Sequence, residues 1–395
     1  MELKAGFKDS DVGPIPADWV TNPFLGVLQK IEAKRHQILA SEYLAAGSIP
    51  VVDQGQSAIA GYSDRLDKRL VRPDGGVIIF GDHTRTVKYA DFDFVVGADG
   101  TQLLIGKNGN DTQFLFYQLQ AKSIPSTGYA RHFKFVKEMV FRVPPVPVQR
   151  AIAAALGDVD ALLAGLDKLI AKKRDLKQAA MQQLLTGETR LPGFRKAWEL
   201  TTLGHLFEFR NGVNADKRAY GRGVPFINVL EVITKPHLHA GDVPGRVSLS
   251  QSLIEAYAVR RGDVVFNRTS ETQEEVALAS VYMDTTTVVF GGFVIRGRPS
   301  GDRLDATYSG YALRAPEVRQ QLVAKGQGAI RANVGQSEMR TVRIRLPEVD
   351  EQKAIAAALW DMDAEVAALE ARRDKTRAVK QGMMQELLSG RTRLV

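Results

Sequence analysis

The sequence predicts an α+β fold in which two strand-rich globular halves are separated by two long α-helices packed as an antiparallel coiled coil. The whole forms a pseudo-two-fold internal repeat. Three observations predict it. Residues 144–191 recur as residues 347–394 at a constant offset of 203, with 26 identities in 48 positions and no gap. Self-similarity of that strength signals duplication. Within each copy apolar residues step by three and four, the period of an amphipathic helix. Outside the copies lie short β-like runs set off by turn signals.

The first globular half, residues 1–147, carries the runs "GVIIF", "DFDFVVG", "TQLLIG" and "MVFRV". The turns "RPDGG", "GADG" and "GKNGN" punctuate them. The first long helix, residues 148–190, places Ile152, Leu156, Val159, Leu162, Leu166 and Leu169 on one stripe, continued by Leu176, Ala180 and Leu184. The second half, residues 191–346, repeats the strand style with "VPFINVLEV", "GDVVFN", "ASVYM", "TTVVFGGFVI" and "TVRIRLP". The second helix, residues 347–395, has Ile355, Leu359, Met362, Val366 and Leu369, then Val379, Met383 and Leu387. Neither copy holds Pro from its Ala-rich start onward, and each closes on a glycine, Gly187 or Gly390, suited to a left-handed helix stop.

A helix of about 37 residues is roughly 55 Å long, and alone in water it would expose its apolar stripe. The economical solution pairs the copies through Leu156, Val159, Leu166 and Leu169 of the first and Leu359, Met362, Val366 and Leu369 of the second. Two equivalent units related by a two-fold axis across that seam run antiparallel. The competing arrangement is two separate core helices in tandem domains. Both halves open toward a tryptophan, Trp19 or Trp198, and both end in a strand that runs into a Pro-containing junction, "VPPVPVQ" or "LPEVDEQ". Between those ends the halves read as divergent. The segment that follows the first helix has its counterpart at the start of the chain, so the two ends are expected to lie near each other.

Composition limits the function classes. The chain of 395 residues is 44% hydrophobic and 25% charged, ordinary globular values. There is no membrane-spanning apolar run, no secretory signal and no cysteine, so a cytoplasmic protein is expected. The formal net charge of +8 is uneven: +1 over residues 1–147, +2 over 148–190, +6 over 191–347 and −1 over 348–395. A basic excess on a globular half points to a polyanion, most often nucleic acid.

The doubled "LPxxxEQxxI"-like junction, the endings "LLTGETRL" and "LLSGRTRL", and the segments "GDVVFNRT" and "VIIFGDHTR" together resemble the specificity (S) subunits of Type I restriction–modification systems. The resemblance covers the whole chain. It implies a DNA-reading subunit without catalysis of its own, in which each half is a target recognition domain for one part of a bipartite site in double-stranded DNA. It implies further that the helices set the half-site spacing and dock two methyltransferase (M) subunits, which methylate adenine with S-adenosylmethionine. Restriction (R) subunits using ATP and magnesium can join, and this chain itself takes no cofactor.

Direct readout needs side chains that fork hydrogen bonds to base edges, Arg or Lys to guanine and Asn or Gln to adenine. In the first half the candidates are His83, Thr84, Arg85 and Lys88, then Lys107 and Asn108, then Tyr129, Arg131, His132 and Lys134. In the second they are Asn211, Asn214, Lys217 and Arg218, then Asn267, Arg268 and Thr269, then Gln327, Arg331 and Asn333. Singly, each is as well explained by a solvated loop or a turn cap. As sets they recur on Gly-rich basic loops in both halves.

Catalytic signatures are lacking. The chain has no Gly-x-x-x-x-Gly-Lys-Ser/Thr phosphate loop. "NPF" at residues 22–24 is a poor match to a methyltransferase loop, and "PEVDEQK" reads as a helix-start charge cluster. His237 and His239 in "KPHLHAGD" lack the companions of a metal site. Two other classes compete with the specificity subunit: a stand-alone DNA-modifying enzyme, and a coiled-coil adapter that does not read DNA.

Overall fold

A computed structural model of the protein describes residues 6–97, 99–126, 128, 131–328 and 332–394. The chain divides into two compact units, one drawn from Met1–Lys168 and Ala371–Val395, the other from Leu169–Glu370.

In the first unit, β1 (Leu28–Ile31), β2 (Val77–Gly81), β3 (Val87–Ala90) and β4 (Thr101–Gly106) form an antiparallel sheet in the order β1-β4-β2-β3. Its strand β2 is buried on both faces. On one face Ile78, Phe80 and Leu104 pack with Phe114, Leu115 and Leu119 of α1 (Thr112–Gln120). On the other, Val77, Ile79 and Leu103 meet Val52, Phe94 and Val96 of a second sheet. That second sheet sets Val95–Gly97 parallel to both Gln37–Ile38 and Ile49–Val52. The strand Val140–Val143 pairs with Val20–Pro23 and leads into the long helix α2 (Val146–Thr186). Ile152, Ala153 and Leu156 of α2 complete the core, joined by Leu387 and Leu388 from the far end of the chain.

The second unit repeats this plan. Its main sheet holds β5 (Phe207–Asn211), β6 (Val264–Asn267), β7 (Ala279–Tyr282) and β8 (Val294–Pro299) in the order β5-β8-β6-β7, with His237–Leu238 added at the β7 edge. The helix α3 (Ala306–Ala312) stands where α1 stands, and Arg343–Leu346 leads into α4 (Val349–Leu387). Leu184 and Leu185 of α2 and Ile355, Ala356 and Leu359 of α4 close the core. The halves differ in side chains, as expected, while the strand order of the main sheet is shared. A correction falls on "VPFINVLEV". Asn228 and Glu231 form a capping box there, the Asn228 amide donating to the Glu231 carboxylate at 2.8 Å, and Val229–Thr234 is helical.

Each unit contains a segment of both long helices, and in each they run antiparallel. Asp160 faces Lys380 at 2.7 Å in the first unit, while Asp167 faces Arg373 at 3.7 Å. In the second, Lys177 faces Asp363, Lys173 faces Glu365 at 2.6 Å and Arg174 faces Glu370. The seam is thus less apolar than its sequence suggests. Leu156 and Leu359 are fully buried, Leu166 is buried, and Val159, Met362, Val366 and Leu369 are half-buried. Leu169 is corrected: it is 39% exposed, and Ile170 takes the buried position beside it. In the second copy those two positions are Arg372 and Arg373, and Arg373 pairs with Asp167.

Gly187 and Gly390 end the long helices at φ of 77° and 73°. Each also lies under a tryptophan: a Cβ on Gly187 would come within 3.3 Å of Trp198, and one on Gly390 within 2.4 Å of Pro16 and 3.2 Å of Trp19. Only glycine serves both needs. Beyond Gly390, Arg393 forks onto the Asp18 carboxylate at 2.6 and 3.0 Å, which brings the two ends of the chain together as expected. Among the described residues no helix is long and apolar enough to cross a membrane.

Candidate nucleic-acid interface

In the first unit a cleft of about 600 Å³ opens at the end of the main sheet. Strand β1 supplies Gln29 and Lys30, β4 supplies Gln102, and the turn after β4 supplies Lys107. The segment around the short helix Phe133–Lys137 adds Arg131, Phe133, Lys134 and Lys137. Five cations therefore face one acid, Asp82, which sits just past β2 at the floor. Asp82 is buried, and its Oδ1 accepts from the Phe133 amide at 2.8 Å. That bond caps the short helix and aims its lysines at the opening. Lys137 lies 5.4 Å from the Phe133 ring centroid and Lys134 4.9 Å from that of Phe135, so ring faces hold both side chains in place. Lys107 donates to the Leu25 carbonyl at 3.1 Å, and Asn108, at φ 55°, donates to that of Gly26 at 3.3 Å.

The remaining candidates of the first half are placed differently. His83 and Thr84 bind Gln54 through the His83 amide and the Thr84 hydroxyl. Exposed Arg85, at φ 61°, donates to the Ile124 carbonyl at 3.2 Å. Lys88 is turned inward, its ammonium 2.9 Å from the Asp53 carbonyl and 3.7 Å from the Asp53 carboxylate. Burial lowers its pKa, and Asp53 partly offsets that. His132 is buried against the Asp82 carbonyl at 2.9 Å. Lys88 and His132 are thus corrected to structural roles, because neither presents its polar end to solvent. Tyr129 lies outside the described residues, as does Arg331 of the second half.

The second unit gathers most of its candidates at the same end of its sheet. Arg268 follows β6 as Asp82 follows β2, and backbone hydrogen bonds prove the equivalence. The Arg268 amide donates to Phe293, just before β8, at 2.8 Å, and its carbonyl accepts from Val334 at 3.1 Å. The Asp82 amide donates to Gly100, just before β4, at 2.7 Å, and its carbonyl accepts from His132 at 2.9 Å. The Arg268 guanidinium reaches the Gly292 carbonyl at 3.4 Å. Gly292 also admits Asn214, whose Oδ1 would lie 1.9 Å from any Cβ there.

Thr269 donates to the Asn333 side chain at 2.6 Å, and Gln327 and Asn333 exchange backbone hydrogen bonds at 2.9 and 2.8 Å. The side-chain amides of Asn211 and Gln336 meet at 3.0 Å. Lys217 and Arg218 are exposed on a turn whose Asp216 carboxylate accepts from the Arg218 amide at 2.9 Å. Asn267 is corrected: it is fully buried, and its Nδ2 donates to the Glu275 carbonyl at 3.0 Å.

Sequence reasoning missed Gln29, Lys30, Gln102, Lys137 and Gln336. Gln29 and Lys30 lie side by side on strand β1, and no loop signal marked them. His237 is buried, with its Nε2 2.9 Å from the Thr307 carbonyl and its pKa lowered by that burial. Among the described residues no group of three His, Cys, Asp or Glu is placed to hold a metal. Chemically, the first unit offers cations and amides around one buried acceptor, and the second a guanidinium among amides and a hydroxyl. Such groups suit phosphates and base edges.

The Type I restriction modification DNA specificity domain matches residues 16–173. The Type I restriction enzyme MjaVIII specificity subunit of Methanocaldococcus jannaschii is 21% identical, over 98% of this chain and 96% of its own. The fold is similar to that of the S subunit of a Type I restriction–modification system from M. genitalium, with a TM-score of 0.65 at 13% identity and 98% coverage of both chains. It is also similar to a chain solved in work on complex assembly and conformational transition of the type I system, with a TM-score of 0.54 at 17% identity, covering 95% of this chain and 99% of that one.

Proposed function

We propose that this chain, which belongs to the Type I restriction–modification specificity subunit family, reads a bipartite DNA site with its two globular halves. One observation carries the reading. Both units carry charged and hydrogen-bonding side chains at the same end of the same sheet, past β2 in one and past β6 in the other, which supports base reading there. Residues 1–147 are the first target recognition domain and 191–346 the second. The cations of the first cleft hold phosphates and set register, while amides and Arg268 read base edges. The five cations of the first cleft stand in a half whose net charge is only +1, so they are gathered on one surface, while the second domain carries most of the basic excess.

The chain itself supplies recognition. Two methyltransferase subunits dock on the paired helices and carry out adenine methylation with S-adenosylmethionine, and restriction subunits bring ATP and magnesium. The helices act as the ruler between half-sites. Because they are zipped by ion pairs, a lengthened ruler needs matched insertions, four residues after Leu166 and four after Leu369. Each adds ~6 Å of helix at ~1.5 Å per residue, against ~3.4 Å of DNA per base pair. Mapping methylated sites of the assembled complex should show both half-sites unchanged and the gap longer by about one or two pairs, on those same figures. An active complex with the original gap would show that the helices are not the ruler.

A further inference from the structure

One three-residue constellation occurs twice and lies away from both candidate surfaces. In the first unit Tyr117, on α1, donates its hydroxyl to Asp160 Oδ2 at 2.8 Å. The other oxygen of Asp160 pairs with Lys380 at 2.7 Å, and the Lys380 ammonium sits 5.2 Å from the Tyr117 ring centroid. In the second unit Tyr311, on α3, donates to Asp363 Oδ2 at 2.7 Å. Asp363 pairs with Lys177, whose ammonium is 5.7 Å from the Tyr311 ring centroid. A domain helix, one long helix and the other long helix thus meet at a single point in each unit.

A second fastener lies two turns away. The amides of Asp111 and Asp305, the N-caps of α1 and α3, each donate at 2.8 Å to the equivalent glutamines of the long helices, Gln149 and Gln352. Two directional attachments fix rotation as well as distance, which apolar packing alone does not do. Between the duplicated segments 22 of 48 positions differ, yet both aspartates, both lysines and both glutamines are retained. Burial, together with the neighbouring carboxylate, pushes both tyrosine hydroxyls well above their ordinary pKa, so they remain donors at neutral pH.

We propose that Tyr117–Asp160–Lys380 and Tyr311–Asp363–Lys177 are positioning joints that set the angle at which each recognition domain is carried on the helix pair. They thereby set how strictly the protein measures the gap between half-sites. The inference rests on the bipartite reading above. The test is selection from duplexes with randomised half-sites and gap, using the full chain with its methyltransferase subunits, for wild type, Y117F and Y311F.

Each hydrogen bond to a carboxylate lost should raise binding to gaps one pair too short or too long about tenfold relative to the correct gap. The half-site sequences should stay as they are, and the far-UV spectrum should be unchanged. Gap preference as strict as wild type in both variants would overturn the joints, and so would loss of one half-site's sequence with the gap preserved. A wild-type selection without a two-part motif would overturn the bipartite reading, and the joints with it.

Discussion

Asp82 and Arg268 occupy one position in two copies of one sheet, yet one is a buried acceptor and the other a half-exposed donor. Around Asp82 the fold spreads five cations across a cleft. Around Arg268 it spreads neutral amides and a hydroxyl, with Lys217 and Arg218 on an exposed turn of the same domain. The backbone hydrogen bonds are the same in both. The comparison teaches that the scaffold fixes where a side chain stands, and that local sequence alone decides whether it donates or accepts.

The largest expected effect tests the cationic side of the contrast. The triple variant K107A/R131A/K134A should lower DNA affinity about 10- to 1,000-fold and reduce the salt slope by as much as about three, one per phosphate contact. Affinity measured across a salt series checks this, and an unchanged slope would remove the cleft from the interface. Next comes the base-reading side. R268A should relax one position of one half-site only, costing about 1–3 kcal/mol of discrimination. Methylome mapping reads it directly; relaxation in both half-sites, or in neither, would break the proposed independence of the domains.

The smallest effect compares the helix stops. G390A and G187A both force a β-carbon into the left-handed region, at about 1–2 kcal/mol each. G390A should lower the melting temperature further, because its Cβ would meet Pro16 at 2.4 Å whereas that of Gly187 finds 3.3 Å. Equal shifts in melting temperature would show that Pro16 gives way to the added β-carbon.

The repeat was legible because helix period and gapless identity are properties of local sequence. The seam was less so. Leu169 satisfied the spacing, but its place in the pair depends on the phase set by Asp160, Lys177, Asp363 and Lys380, whose partners are about 200 residues away. Among candidate readers, Lys107, Arg131 and Lys134 line the cleft, and Arg268 and Thr269 are partly exposed, as loop position in sequence suggests. It failed for Asn267, since β6 is covered on both faces: Val264 and Phe266 enter one core and Val265 another, leaving the strand no wet side. It failed for Lys88 because the acceptors that draw it inward lie 31 to 35 residues earlier. The shared strand order was hidden altogether, since topology survives when side chains do not.

The two units also differ in how the chain closes them. Residues Leu169–Glu370 are one continuous run, whereas the first unit must join Ile15 and Trp19 to Leu387 and Leu388 before its core is whole. A contact across nearly the full chain carries the largest loop-closure entropy the protein has to overcome. On the ribosome, the first domain to be synthesised is therefore the last to be completed. Until the final helix emerges, its apolar face stands open to chaperones and proteases, so truncation near the C-terminus should be felt first at the N-terminal domain.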